Sequence, residues 1–494
     1  MIAHLPALQV VLPLLFAPVC VLLRQHTLVW LVTLLVSWAV FIMACLSIPV
    51  VFDIGPLSYE LGGWAAPWGI EYKLDQLSAF VVLIVTAIGA IVITYARQSV
   101  THEIPRDRVY LFYTAYLLNL TGILGVVVTG DVFNLFVFIE ISSLSSYALI
   151  SIGRDRRALM AAYRYLVLGT IGATFILIGV GLLYVMTGTL NIDDLQQRLV
   201  DLEEQRTVIT ALAFLTVGIS LKFALFPLHF WLPNAYTYAP SVISVFLAST
   251  TTKVFIYVLL RFLFSIFGAS FVYDVVHVDR ILLICSVLAI FSGSLSAIYQ
   301  DNIKRMLAYS SIAQIGYMVL GVGLASVTGV LAGIIHLFNH ALMKAALFMC
   351  MGCVFYRIGS VSIGQMKGIG RTMPWTMAAF VIAGLSLVGV PLTVGFISKW
   401  YLIQAAIEQD NWVIVITVLA GSLLAMIYIW RVVEAAYFQE PDIGTDTAGH
   451  GEAPPMMVIA LWVVIIANIY FGINAEMTSG FARRSAEFLL GAWP

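Results

Sequence analysis

Long apolar runs, each about the length of a bilayer-crossing helix, follow one another along almost the whole chain. A spanning helix needs ~20 predominantly apolar residues. Such runs fall at 6–23, 27–49, 75–97, 109–128, 131–152, 163–187, 207–235 and 238–266. A second set falls at 279–299, 304–326, 329–356, 374–407, 411–438 and 455–474. Their apolarity is continuous rather than alternating, so they read as helices and not as barrel strands. The pattern predicts an all-α integral membrane protein of about fourteen transmembrane helices. Two runs, 207–235 and 374–407, are too long for a simple span. The first run lacks a basic leader and a small-residue cleavage site, and reads as a retained helix rather than a signal peptide.

Composition agrees with this reading. Of 494 residues, 61% are hydrophobic and only 10% are charged, against about 25% charged in soluble domains. So few ionised groups cannot cover the surface of a water-soluble protein of this size. A net charge of −1 gives no electrostatic basis for binding nucleic acid. All five cysteines, Cys20, Cys45, Cys285, Cys350 and Cys353, lie inside apolar runs, where cysteine packs as a small apolar residue. Cys350 and Cys353 form a lone CxxC with no second pair to complete a metal site. No metal, haem, iron–sulfur cluster or other cofactor is expected.

Basic residues collect in alternate short loops: Arg24; Arg97, Arg106 and Arg108; Arg154, Arg156 and Arg157; Lys304 and Arg305; Arg357, Lys367 and Arg371. The positive-inside rule places these loops in the cytoplasm. Both termini then lie on the non-cytoplasmic side of the cell inner (cytoplasmic) membrane. Loop 439–455, rich in acidic residues, fits its cytoplasmic assignment poorly, but acidic residues weigh little in the rule. The loops are too short to hold a soluble domain, so any redox centre would belong to another subunit.

Against this apolar background a few ionisable residues stand out, because a charge near the bilayer centre costs about 2.5–3.5 kcal/mol on insertion scales. Glu140 lies mid-run in GDVFNLFVFIEISSLSSYALI, Lys222 in LTVGISLKFALFPLHFWLP, Lys253 in SVFLASTTTKVFIYVLL and Lys399 in LSLVGVPLTVGFISKWYL. Near a helix end such lysines could snorkel to the interface; at mid-span they mark a path for ions. His336, His340 and Lys344 recur at i, i+4 and i+8, which places them on one helical face. The hydroxyl run Ser249, Thr250, Thr251 and Thr252 before Lys253 either holds water or bonds back to its own helix. Pro227 and Pro233 interrupt the Lys222 run, and Pro391 with Gly389 and Gly395 interrupts the Lys399 run. Proline removes a backbone donor and opens a helix. Two broken helices, each with a central lysine, in corresponding positions of two halves fit inverted repeats.

The segments GDVFNLFVFIE, LKFALFPLHFWLPNAY, HLFNHALMKAALFM and VGVPLTVGFISKW resemble the antiporter-like membrane subunits shared by proton-pumping NADH:quinone oxidoreductases and Mrp-type cation/proton antiporters. The resemblance implies two inverted five-helix repeats with broken seventh and twelfth helices. The boundaries would be N-terminal helices at 1–108, a first repeat at 109–266, a second at 279–438, and a last span with a short tail at 439–494. It also implies that Glu140, Lys222, Lys253 and Lys399 carry the translocated protons. His336, His340, Lys344 and His229 would serve as secondary relays. Lysine at position 399, with too little chain after the last span for a long lateral helix, is most similar to the D-type subunit of Mrp antiporters. Hydrogenase-linked relatives match almost as well.

The function expected is therefore a proton/cation-translocating subunit of a multisubunit Na+(cation)/H+ antiporter, with no catalytic chemistry of its own. The alternative is a proton-pumping membrane subunit of a respiratory NADH:quinone oxidoreductase-like or membrane-bound hydrogenase complex. Expected partners are other membrane subunits, the lipid bilayer, protons, and Na+ or another monovalent cation.

Overall fold

The computed structural model describes residues 2–202, 205–440 and 451–491. Part of the acidic loop 439–455, including Asp442 and Asp446, and part of the fourth expected segment, 439–494, lie outside the described residues. Among the described residues, twelve helices are long and apolar enough to cross a membrane. Their ends agree with the apolar runs to within a few residues. The exceptions are the two overlong runs, each of which is divided.

Run 207–235 becomes the helix Arg206–Lys222, an irregular turn, and the short helix Leu232–Tyr238. Run 374–407 becomes Pro374–Val388 and Val394–Glu408. At the second break Gly389 adopts φ +95°, a left-handed conformation that side-chain-bearing residues rarely occupy. Gly395 is required by close approach instead, since a Cβ there would fall 1.8 Å from the Ser386 carbonyl oxygen. Both breaks thus follow from residues visible in the sequence.

The helix Val327–Ile358 lies at the centre. It packs against Ile303–Gly323, both pieces of the second broken helix, Pro455–Ile473 and the N-terminal part of Ser241–Ile266. Residues 329–354 of this helix are all buried, as are nearly all of those in Ser241–Ile266. Elsewhere, as in His26–Asp53 and Val278–Ile298, apolar side chains face outward, as a lipid-solvated surface demands. Close backbone approach replaces hydrophobic driving force between such helices. Gly122 meets the backbone of Ser142 in this way, and Asn119 donates to the Ser142 carbonyl and the Ser146 hydroxyl, each at 2.7 Å.

Three features differ from the sequence reading. Loop 50–74 holds an antiparallel hairpin of Leu57–Glu60 and Glu71–Leu74, with Leu57 opposite Leu74 and Glu60 opposite Glu71. Two four-residue strands are too short to register beside runs of ~20 apolar residues. The stretch after the last span, expected as a short tail, includes the helix Glu476–Leu490. It packs back on Val327–Ile358 and Gln76–Glu103. The helix Ser241–Ile266 contains π-helical turns at Leu247–Thr251 and Arg261–Ile266, a register change that hydrophobic periodicity does not reveal.

A short backbone bridge recurs at two places. Asp131, the N-cap of Val132–Ser151, pairs with Asn191, just beyond the helix Arg157–Thr187 and its left-handed Gly188. Asn302, the N-cap of Ile303–Gly323, pairs with Ser362, just beyond Val327–Ile358 and its left-handed Gly359. The positions correspond at one constant offset along the chain.

Candidate ion-translocation site

The two broken helices deliver their lysines to equivalent electrostatic positions. Lys222 is the last residue of Arg206–Lys222, where unpaired carbonyls and the helix dipole favour a cation. Lys399 lies in the second half-helix, but its ammonium reaches back across the break to the last carbonyls of the first. Its Nζ donates to Leu387 at 3.0 Å, Val388 at 2.9 Å and the Ser422 hydroxyl at 2.9 Å. One lysine reaches a half-helix C-terminus by chain position and the other by side-chain length.

Glu140 stands across from Lys222, with Oε1 3.4 Å from Nζ. Lys222 also donates to Ser143 Oγ at 2.9 Å, one turn further along the Glu140 helix. Lys222 is fully buried, whereas the Glu140 side chain is 24% exposed. Phe133, Val137 and Leu144, on the same face as Glu140, are exposed as well. The carboxylate therefore joins the interior to a lateral apolar face of the protein.

Lys253 follows the π turn and is buried, bonded to the Ala248 carbonyl and, at 3.3 Å, to Thr252 Oγ1. Thr250 bonds back to Phe246 O at 2.7 Å, while Ser249 Oγ and Thr251 Oγ1 are buried without a hydrogen-bond partner in the chain. The π turn just before Lys253 packs against the central helix that carries His340 and Lys344.

The stripe on the central helix is as the spacing implied, and wholly buried. The rings of His336 and His340 stack with centroids 6.1 Å apart and planes 3° from parallel. His336 bonds Ser398 Oγ at 2.8 Å and Gln314 Oε1 at 3.0 Å, and Ser398 is the chain neighbour of Lys399. Neither ring nitrogen of His340 has a partner in the chain. Lys344 donates to Leu307 O at 2.7 Å and to Ser310 Oγ. Lys399 lies 5.0 Å from the Tyr317 ring centroid and borders a cavity of about 320 Å³ with Ser422, Trp400 and Met426. His229 stands apart: it lies in the first break between the rings of Phe226 and Phe230, and its Nδ1 has no partner in the chain.

Sequence reasoning did not single out Gln314, Ser310, Ser398 or Ser422, because uncharged polar residues are ordinary in membrane helices. It counted Lys304 only among the basic loop residues, whereas Lys304 is buried and donates to Ala239 O at 3.3 Å. Lys304 borders a polar cavity of about 350 Å³ together with Glu103, Arg154, Asp155 and Arg157. There, hydrogen bonding from Arg157 holds the Asp155 carboxyl below the usual carboxylate range.

A polytopic helical bundle with broken helices and a buried row of ionisable side chains defines a class of ion-translocating membrane proteins. Within that class, the model of the transmembrane region described as NADH:quinone oxidoreductase/Mrp antiporter matches residues 129–425. The chain belongs to this NADH:quinone oxidoreductase/Mrp antiporter family. It is 41% identical over 442 residues to the NADH-quinone oxidoreductase N subunit of Desulforudis audaxviator, covering 89% of this chain and 87% of that one. It is 32% identical over 491 residues to the Na(+)/H(+) antiporter D subunit of Alkalihalophilus pseudofirmus, covering 99% and 97%. Among solved structures, a chain of the membrane-bound sulfane sulfur reductase, an archaeal respiratory membrane complex, superposes with a TM-score of 0.91 at 31% identity, covering 99% and 98%.

Proposed function

We propose that the chain is a proton/cation-translocating subunit of a multisubunit Na+(cation)/H+ antiporter. The observation that carries this reading is the row of ionisable side chains, buried except at Glu140, that begins at the Glu140–Lys222 pair, includes Lys253, His340, Lys344 and His336, and ends at Lys399. Proton movement along the row breaks or remakes the Glu140–Lys222 pair, which changes the charge felt at Lys253 and beyond. The groups titrate as a coupled set. Water bridging His340, Ser249 and Thr251 completes the links, since buried polar atoms without protein partners are sites that water satisfies. Lys399, at the far end beside its cavity, is the exit gate toward one side of the membrane.

The two broken helices count as further crossings, giving fourteen helices, with repeats at 109–266 and 279–438 flanked by 1–108 and 439–494. The recurrent bridge of Asp131 with Asn191 and Asn302 with Ser362 supports the repeat. The basic loops support an orientation with both termini outside the cytoplasm, in the cell inner membrane. A mid-membrane carboxylate on an exposed apolar face calls for a covering neighbour, which supports other membrane subunits as partners.

A second reading, a proton-pumping subunit of a respiratory oxidoreductase, is favoured by the 41% identical relative and by the respiratory complex that superposes on this chain. One experiment separates the two. The tagged chain is purified with its partners, and cation-dependent proton movement is measured in vesicles without an electron donor. Sodium- or potassium-driven antiport with no redox subunits establishes the first reading; redox subunits and donor-dependent pumping replace it with the second.

A further inference from the structure

A second stripe branches from the row above at Lys253 and runs toward one surface. Lys253, Tyr257 and Arg261 recur at i, i+4 and i+8 on one face of Ser241–Ile266, and ~12 Å of helix separates the two ends. Arg261 Nε donates to the Tyr257 hydroxyl at 2.9 Å, and that hydroxyl donates to Val127 O at 2.7 Å. The other end of the guanidinium pairs with Asp75, and both partners are buried. Asp75 is also the N-cap of Gln76–Glu103, accepting from the Ser78 amide at 2.9 Å. Asp75, Arg261 and Tyr257 border a cavity of about 260 Å³. Its wall includes exposed Gln196 and the Lys73–Asp193 ion pair, so it communicates with solvent.

Anchoring alone accounts poorly for this arrangement. A cap needs an oxygen acceptor but no arginine, and asparagine caps about as well as aspartate. A buried ion pair is weak evidence for stability, since its desolvation cost rivals its attraction. The position is more telling: the pair lines a water-accessible cavity, on the face that bears loop 50–74, two helical turns from a central lysine.

We infer that Asp75 and Arg261 form an outward proton gate for the Lys253 end of the row. Paired, Arg261 occupies the Asp75 carboxylate, which then accepts no proton, and the route is closed. A proton that leaves Lys253 Nζ crosses by way of water beside Tyr257 and forms an O–H bond on the Asp75 carboxylate. Neutral Asp75 releases Arg261. When that proton passes to the cavity, the pair forms again and closes the route. The inference rests on the proton-translocation reading above and on the orientation that puts loop 50–74 outside.

The test uses vesicles holding the assembled complex. Asp75→Asn keeps the cap and removes the titrating carboxylate, and should lower coupled transport about tenfold or more. Asp75→Asn combined with Arg261→Gln removes the barrier as well, and should speed the passive decay of an imposed pH gradient severalfold. Gln196→Cys at the cavity rim, modified in intact cells with a bulky membrane-impermeant thiol reagent, should slow transport relative to wild type treated alike. This arm stands even if the other variants fail to assemble. Wild-type transport in Asp75→Asn, an unchanged leak in the double variant, or full labelling at position 196 without slowing each overturns the gate. Glu140→Gln separates the two levels: if it abolishes transport while Asp75→Asn does not, only the gate fails.

Discussion

Lys222 and Glu140 face each other across 3.4 Å, yet one is sealed in the protein and the other stands at its lateral surface. The pair thus couples an interior charge to whatever packs beside the Glu140 helix.

Glu140→Gln and Lys222→Ala should each reduce proton transport by about tenfold or more, and the double variant should be little worse than either. Residues acting as a unit are non-additive. Dye-monitored proton movement in vesicles reads the outcome, with blotting for assembly. Glu140→Asp retains the charge but shortens the reach by one methylene, so partial activity is expected. Rates that fall multiplicatively would show that the two side chains act separately.

At the other end, Lys399→Ala should abolish transport, whereas Lys399→Glu should retain a fraction of it. The alanine variant removes the titrating group; the glutamate variant keeps one at the same cavity. Full activity of Lys399→Ala would mean that the proton leaves by another route. The glutamate faces two carbonyls that the ammonium now satisfies, so its thermal stability should fall below wild type.

The two histidines should differ in a way that the sequence alone does not suggest. His336→Ala strands the Gln314 carbonyl oxygen, at about 1–3 kcal/mol for an unpaired buried group, while Ser398 keeps its bond to Gly395 O. His340→Ala breaks no hydrogen bond within the chain. Each single variant should lose transport only in part, with His336→Ala melting at the lower temperature. The double variant should be nearly inactive, since water is unlikely to fill an apolar gap. A fully active double variant would assign the stripe a packing role.

Gly395→Ala should fail at assembly rather than at transport. The added Cβ cannot coexist with the Ser386 carbonyl oxygen, and overpacking against backbone costs about 1–3 kcal/mol or more. Loss of the purified complex in detergent would be the sign; normal yield with normal transport would show that the break can shift to make room.

The parts of this molecule that were legible in the sequence share a physical cause: each stands out against the composition around it. Glu140, Lys222, Lys253 and Lys399 are conspicuous because charge is costly in an apolar run. Pro227, Pro391 and Gly395 mark the breaks because backbone geometry is local. What stayed hidden depends on partners far apart in the chain. Asp75 and Arg261 meet only after folding, although Lys253, Tyr257 and Arg261 satisfied the same spacing rule that exposed the His336 stripe. The hairpin at Leu57–Glu60 and Glu71–Leu74 was hidden by its brevity. His229 was singled out only through the family resemblance, and its contacts with the Phe226 and Phe230 rings are seen only in the fold.

The exposure of Glu140 has a consequence for how such machines grow. A polar row closed at both ends would let every subunit work as a self-contained device with its own entry and exit. Here one end reaches the flank of the subunit, and Lys399 at the other borders a cavity shared with outward-facing Trp400 and Met426. On the proposed route, such a unit would be a length of wire with bare ends. Laying another alongside extends the circuit without new chemistry, and selection can then act on the joint between neighbours rather than on the conductor.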